Sequence, residues 1–277
     1  MSGTLILVST PIGNLGDLST RAVDALKSSA LICCEDTRHS GKLLSHAGIR
    51  GVRLAVCNEH TEQQRVNEVC DLLAAGSNVT VISDAGTPGI SDPGSRLVRA
   101  VIDAGHPVSA VPGPAALIMA LVISGFDTTR FVFEGFIPRS GSDRTTRLAQ
   151  VAAEHRTIVM YEAPHRVART ITDLASACGS ERSVVLAREL TKLHEDVWRG
   201  TLLQAVEHLD QQAPRGEYVV VLQGAPSLPA ATDDQIVLAL QHSLQNGATK
   251  KDAVATVTSV TGASKRRVYD LALGIAR

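Results

Sequence analysis

Two aspartates, three glycines and two prolines fall within twelve residues, Ser83-Asp84-Ala85-Gly86-Thr87-Pro88-Gly89-Ile90-Ser91-Asp92-Pro93-Gly94. They follow the apolar run 79–82, which reads as a buried strand, and precede a helix-like segment at 95–104. Glycine lets a backbone approach a ligand closely, and proline stiffens the loop that carries it. The carboxyl ends of strands are where open α/β sheets bind ligands. The plainer reading is an ordinary strand-to-helix turn, but so many special residues in one loop point to a binding loop.

A second cluster, Glu35-Asp36-Thr37-Arg38-His39, ends the apolar run 30–34. Carboxylates at a strand end can accept a proton and an arginine can hold an anion. The competing reading is a self-neutralising cap, with Asp36 capping a helix and Arg38 pairing with Glu35. Two further strand ends carry charge, Tyr161-Glu162-Ala163-Pro164-His165-Arg166 and Ala187-Arg188-Glu189-Leu190-Thr191-Lys192. They could face a cleft or simply tie two domains together.

The first loop, Ser9-Thr10-Pro11-Ile12-Gly13-Asn14-Leu15-Gly16-Asp17, is G-x-x-G without the leading glycine of the dinucleotide fingerprint. There is no phosphate-binding P-loop and no G-x-S-x-G elbow. His39, His60, His155, His165 and His194 are scattered singly, so no metal site is expected.

The elements that must position these residues alternate as strand and helix. Strands are expected at 5–8, 30–34, 52–56, 79–82 and 107–111, and helices at 19–28, 41–47, 61–75 and 95–104. This rhythm predicts a mostly parallel sheet covered on both faces. If the ends of the first, fourth and fifth strands converge, they line one pocket. After Val111-Pro112-Gly113-Pro114 comes an apolar helix at 115–123. Less evenly spaced strands follow at 131–133, 157–161, 183–187 and 218–222, with an edge strand at 196–200, and predict a mixed sheet. The expectation is two α/β domains, 1–113 and 114–225. The linker Pro226-Ser227-Leu228-Pro229-Ala230-Ala231 then leads to a helical tail, 230–277. In the tail, Thr249 and Ser264 are expected helix N-caps in a helix-turn-helix-like pattern, and Lys250, Lys251, Lys265, Arg266 and Arg267 make it basic.

The 277 residues are 44% hydrophobic and 20% charged with a net charge of −1, so any nucleic-acid partner needs a local basic patch. Aromatics are only 3%, which argues against an extended stacking platform. Five cysteines without C-x-x-C spacing suggest a reducing compartment. No signal peptide or membrane-length apolar run is evident, so a cytoplasmic location without membrane association is expected.

Thr10-Pro11-Ile12-Gly13-Asn14, Glu35-Asp36-Thr37-Arg38, Ser83-Asp84-Ala85-Gly86-Thr87-Pro88, Val111-Pro112-Gly113-Pro114, Glu134-Gly135-Phe136, Tyr161-Glu162 and Arg188-Glu189-Leu190-Thr191-Lys192 occur in this order. In this the chain resembles the tetrapyrrole methylase superfamily, and within it the branch that acts on ribosomal RNA. The resemblance runs from about residue 5 to about residue 224. It implies two α/β domains with S-adenosylmethionine between them, a homodimer, and methyl transfer to the ribose 2′-hydroxyl of a cytidine in small-subunit ribosomal RNA, free or in the assembled subunit. Family cofactor contacts map onto Pro11, Asp84, Ala85, Gly86, Thr87, Ala115, Ala116, Glu162 and Leu190. The short first loop favours RNA over a porphyrinoid substrate. A porphyrinoid methyltransferase and a non-catalytic RNA-binding module remain the alternatives.

Methyl transfer from a sulfonium needs no metal, but it needs in-line placement and help in removing the hydroxyl proton. Glu35 or Asp36 is the expected base or ribose anchor, and Arg38 or Lys192 the expected contact to the neighbouring phosphate. The basic tail, with Arg139, Arg144 and Arg147, is the expected RNA surface.

Overall fold

The computed structural model describes residues 2–58, 61–226 and 231–275. His60 and the linker residues Ser227–Ala230 lie outside them. The chain divides into two compact units, 1–225 and 226–277.

The first unit opens with β1 (Leu5–Val8), α1 (Thr20–Lys27), β2 (Leu31–Cys34), α2 (Thr37–His46), β3 (Arg53–Val56), α3 (Glu62–Ala74), β4 (Val79–Val81), α4 (Ser95–Asp103) and β5 (Val108–Val111). The five strands form one wholly parallel sheet in the order β3-β2-β4-β1-β5. Alternation along β2 explains its all-apolar sequence, since successive side chains leave opposite faces. Leu31 and Cys33 join Val69, Leu73, Leu97 and Val101 of α3 and α4, whereas Ile32 and Cys34 join Ala22, Leu26 and Leu44 of α1 and α2. Each fully buried leucine contributes about 2 kcal/mol. α1 is capped by Ser19, whose side chain accepts from the Ala22 N–H.

After α5 (Ala116–Ser124) come β6 (Phe131–Phe136), α6 (Gly141–Ala153), β7 (Thr157–Glu162), α7 (Pro164–Cys178), β8 (Ser183–Arg188), β9 (Asp196–Thr201), α8 (Leu202–Gln211) and β10 (Tyr218–Leu222). Their sheet is mixed, in the order β6-β7-β10-β8-β9, with β9 at the edge as expected. Leu117, Ala120 and Leu121 of α5 pack on Val159, Val185, Val219 and Val221. The opposite face, including Met160, Leu186 and Val220, is covered by α6, α7 and α8.

Two expectations need correction. The second helix begins at Thr37, not at residue 41, because the Asp36 side chain accepts from the Arg38 N–H and starts the helix early. Arg144 is buried, donating to Asp173 at 2.6 Å and to the Pro138 carbonyl at 2.8 Å, so it holds α6 to α7 and cannot meet RNA. Its neighbour Arg147 is paired with Glu134.

The second unit holds α9 (Asp233–Gln245), α10 (Lys250–Thr261) and α11 (Lys265–Leu273) around Ile236, Leu240, Val254, Val257 and Val268. Thr249 and Ser264 are the N-caps, as the sequence predicts. The turn between α10 and α11 is Gly262-Ala263-Ser264, with left-handed Gly262 ending α10. Arg267 donates to Asp233 at 2.6 Å and Lys250 to the Ile275 carbonyl at 3.1 Å, while Lys251, Lys265 and Arg266 are exposed. Among the described residues no helix is long and apolar enough to cross a membrane.

Candidate functional site

Because β4 inserts beside β1, and β5 flanks it on the other side, the three Gly/Pro loops leave adjacent strands. The Thr10 N–H donates to the Gly86 carbonyl at 2.8 Å, and the Gly86 N–H returns a bond to Thr10 at 3.1 Å. Gly86 has φ +80°, and a Cβ there would press on Ile12 Cγ2 at 3.3 Å. The Thr87 hydroxyl donates to the Pro114 carbonyl at 3.1 Å and lies 3.0 Å from the Ser9 hydroxyl. The β2 loop joins them, since the Asp36 N–H donates to Asp84 Oδ1 at 3.3 Å.

These loops and the ends of β7, β8 and β10 enclose a cavity of about 520 Å³, a size suited to a small organic ligand. Ile12, Ala115, Ala116, Ala187, Leu190 and Val219 give it apolar walls. Glu35, Asp84 and Asp92 bring three carboxyls to the side formed by the parallel sheet. Burial, then the charge of Glu35, pushes Asp92 up to about 6, with Asp84 adding to the effect and a Ser83 hydrogen bond opposing it. On the other side Lys192 Nζ donates to Glu189 at 2.8 Å and Glu217 at 3.0 Å. Burial opposes charge on Lys192, but these bonds outweigh it and raise its affinity for a proton.

The residues singled out from sequence divide clearly. Asp84, Ala85, Gly86, Thr87, Ala115 and Ala116 line the cavity. So do Glu162, Leu190, Glu35 and Lys192. Pro11 is buried behind the wall and its neighbour Ile12 takes the lining position. The Glu162 carboxylate is already engaged, accepting from Thr170 Oγ1 at 2.6 Å and the Ala163 N–H at 3.0 Å, with Arg166 at 3.2 Å. Asp36 and Arg38 are outside the lining. The Arg38 guanidinium and N–H both bond Asp36 and hold its carboxyl down at about 2, so Arg38 pairs with its own cap and not with Glu35.

Asp92, Phe136, Tyr161 and Glu189, which the sequence motifs include without a role of their own, and Glu217, which they do not include, also line the cavity. Asp92 had a signal, its place in the Gly/Pro loop; Glu217 had none. Backbone strain marks the same wall. Among the described residues the non-glycine residues with positive φ are Ser91 (+60°), Glu189 (+52°) and Thr191 (+67°). Ser91 and Glu189 line the cavity and Thr191 adjoins Leu190. Such strain collects where a fold holds a ligand. Two buried polar atoms of this segment, Arg188 Nε and Thr191 Oγ1, have no hydrogen-bond partner. No cluster of metal-ligating side chains occurs among the described residues.

The family of Tetrapyrrole (Corrin/Porphyrin) Methylases matches residues 4–206, and the chain belongs to it; it is a methyltransferase. Solved structures share the fold. A cobalt precorrin-4 methyltransferase of cobalamin biosynthesis aligns with TM-score 0.60 at 14% identity, over 79% of this chain and 94% of its own. A uroporphyrin-III C-methyl transferase from Thermus thermophilus complexed with S-adenyl homocysteine aligns with TM-score 0.56 at 16% identity, over 80% and 97%. In sequence the chain is far more similar to proteins named ribosomal RNA small subunit methyltransferase I. It is 44% identical to that of Synechocystis sp. over 98% of both chains, and 42% identical to that of Pseudomonas aeruginosa over 98% of this chain and 97% of the relative.

Proposed function

We propose that this protein transfers a methyl group from S-adenosylmethionine to the ribose 2′-hydroxyl of a cytidine in small-subunit ribosomal RNA. The observation that carries the reading is the acidic, apolar-walled cavity where the loops after β1, β2, β4 and β5 meet the mixed sheet. The donor is cationic at sulfur and at its amino group, and three carboxyls beside apolar surface complement those charges. Ala85, Gly86, Ala115 and Ala116 offer backbone groups to it, and Ile12 and Leu190 offer apolar contact. The unpartnered Thr191 hydroxyl gives that wall spare hydrogen-bonding capacity. When bound, the donor supplies an electrophilic methyl group.

The protein must remove the hydroxyl proton. Glu35, Asp84 and Asp92 are the carboxyls on the parallel-sheet side of the cavity wall, and a base works best when its pKa approaches the working pH. Asp92, pushed up to about 6, meets that condition. Lys192, between Glu189 and Glu217, is the cation that meets the phosphate beside the target. Asp36 and Arg38 start α2, directly after Glu35 in the chain.

The long identity to the ribosomal-RNA relatives favours RNA over a porphyrinoid. A cytoplasmic location is the reading that goes with such a substrate. We also infer a homodimer. α5 is apolar around its whole circumference, and its outer residues Ile118, Met119, Val122 and Ile123 are exposed.

The test is to supply the purified protein with small ribosomal subunits lacking the modification and to map ribose methylation. Methylation of one cytidine ribose is expected. Donor binding without methylation of subunits or their RNA would remove the substrate assignment. In Glu35→Gln and Lys192→Ala, turnover should fall at least tenfold, and in Lys192→Ala donor binding should persist. Near-wild-type turnover in both would remove those roles.

A further inference from the structure

β6 does not run evenly along β7. Phe131, Val132 and Phe133 pair with Thr157, Ile158 and Val159, but the next pair is Phe136 with Tyr161. One extra residue enters β6, and Gly135 takes φ +61° there. This is a β-bulge, a device that re-aims a side chain at the cost of ladder bonds. The bulge lies against the Gly/Pro loop, since a Cβ on Gly135 would reach Ser91 Oγ at 3.4 Å. Its effect is to place Phe136 at the cavity wall, opposite Tyr161.

Phe136 is 49% exposed, and it is the only exposed phenylalanine among the described residues. Its ring meets Tyr161 edge-on at 5.8 Å, and Tyr161 in turn meets Phe133 at 5.0 Å. Tyr161 is fixed further by accepting from the Leu117 N–H at 3.3 Å. The outermost ring of this ladder is therefore braced on one side and open on the other. A bulge forfeits ladder bonds, and a half-exposed phenylalanine gives up part of the burial a core position would provide.

We propose that Phe136 is the stacking surface for the base of the acceptor nucleotide. The inference rests on the RNA reading above and adds how the nucleotide is held. Glu35, Asp84 and Asp92 make the interior hostile to phosphate, so the nucleotide must enter ribose and base first with its phosphates outside. A half-exposed aromatic ring meets the entering base, while the largely buried donor belongs to the interior. Aromatic stacking on a base is tolerant of sequence, and it fixes the plane from which the 2′-hydroxyl is offered.

The experiment compares wild-type protein with Phe136→Ala and Phe136→Trp on small ribosomal subunits lacking the modification. Donor affinity is measured in parallel by calorimetry with S-adenosylmethionine. In Phe136→Ala the KM for subunits should rise about 10- to 100-fold, with donor affinity within about twofold of wild type. Phe136→Trp should keep the wild-type KM and show fluorescence quenching when subunits are added. An unchanged KM in Phe136→Ala would overturn the proposal. So would a parallel loss of donor affinity, which would assign the ring to the donor's adenine. If the wild-type protein itself leaves subunits unmethylated, the underlying reading fails and this one falls with it.

Discussion

Gly13 lies directly against the side-chain stem of Lys192, so closely that a Cβ at Gly13 would overlap Lys192 Cγ and come within 3.1 Å of Cε. The two residues lie in loops that leave different sheets. The first loop of the parallel sheet thus presses on the cation that spans Glu189 and Glu217 at the mixed sheet. Gly13→Ala should push Lys192 from that position and lower kcat/KM by about tenfold or more, since sub-ångström placement governs transfer rates, and it should also lower the melting temperature, since the φ of +157° at Gly13 strains a residue with a Cβ. Steady-state assays beside thermal melts check this; full activity would mean that Lys192 needs no such support.

Asp92 should set a pH dependence of both activity and stability. As a base it works ionised, so kcat/KM should rise with pH through about 6 and then level off. Asp92→Asn should abolish most turnover, and Glu35→Gln should move the inflection to lower pH by removing a repelling charge.

The stability effect has the opposite slope. The unfolded chain releases this proton near the ordinary value of 3.8, whereas the folded chain keeps it up to about 6. The folded state binds more protons between those values, so its stability falls as pH rises across that window. Asp92→Asn should remove the slope and stabilise the protein at neutral pH by on the order of 1 kcal/mol, allowing for partial solvent screening. Denaturant titrations at several pH values read this directly, and parallel pH profiles for wild type and variant would contradict it.

The helical tail supplies a second test of RNA contact. Replacing Lys251, Lys265 and Arg266 together by alanine should weaken binding to small-subunit RNA. It should also flatten the plot of log affinity against log salt by about 2 units, because each lost phosphate contact removes about 0.7–0.9. Donor affinity should stay the same. An unaltered salt slope would make the tail a structural cap.

Val122 is the most exposed of the apolar residues on α5, at 57%. Val122→Glu should convert a dimer into a monomer in light scattering while circular dichroism is preserved, since the inner face of α5 is untouched. A wild-type protein that already runs as a monomer would refute the dimer.

The sequence by itself determined the strands and helices, because a strand's alternation and a helix's capping residue are local properties. Ser19, Thr249 and Ser264 are legible caps, and the all-apolar β2 is legible as a doubly covered strand. It also marked the Gly/Pro loop around Gly86 as a place for unusual backbone, and Gly86 has φ +80°. Family resemblance then carried the map of cofactor contacts. Only the tertiary structure decided which loops meet. β4 pairs with β1 across more than seventy residues of chain, and no short pattern encodes that neighbour. Glu35 and Asp36 are adjacent in sequence, yet the first lines the cavity and the second caps α2, because the helix begins between them and what remains of the chain. Likewise one inserted residue turns Phe136 to the cavity, and the raised proton affinity of Asp92 arises first from burial and then from Glu35, which the pairing of β2 with β4 brings beside it.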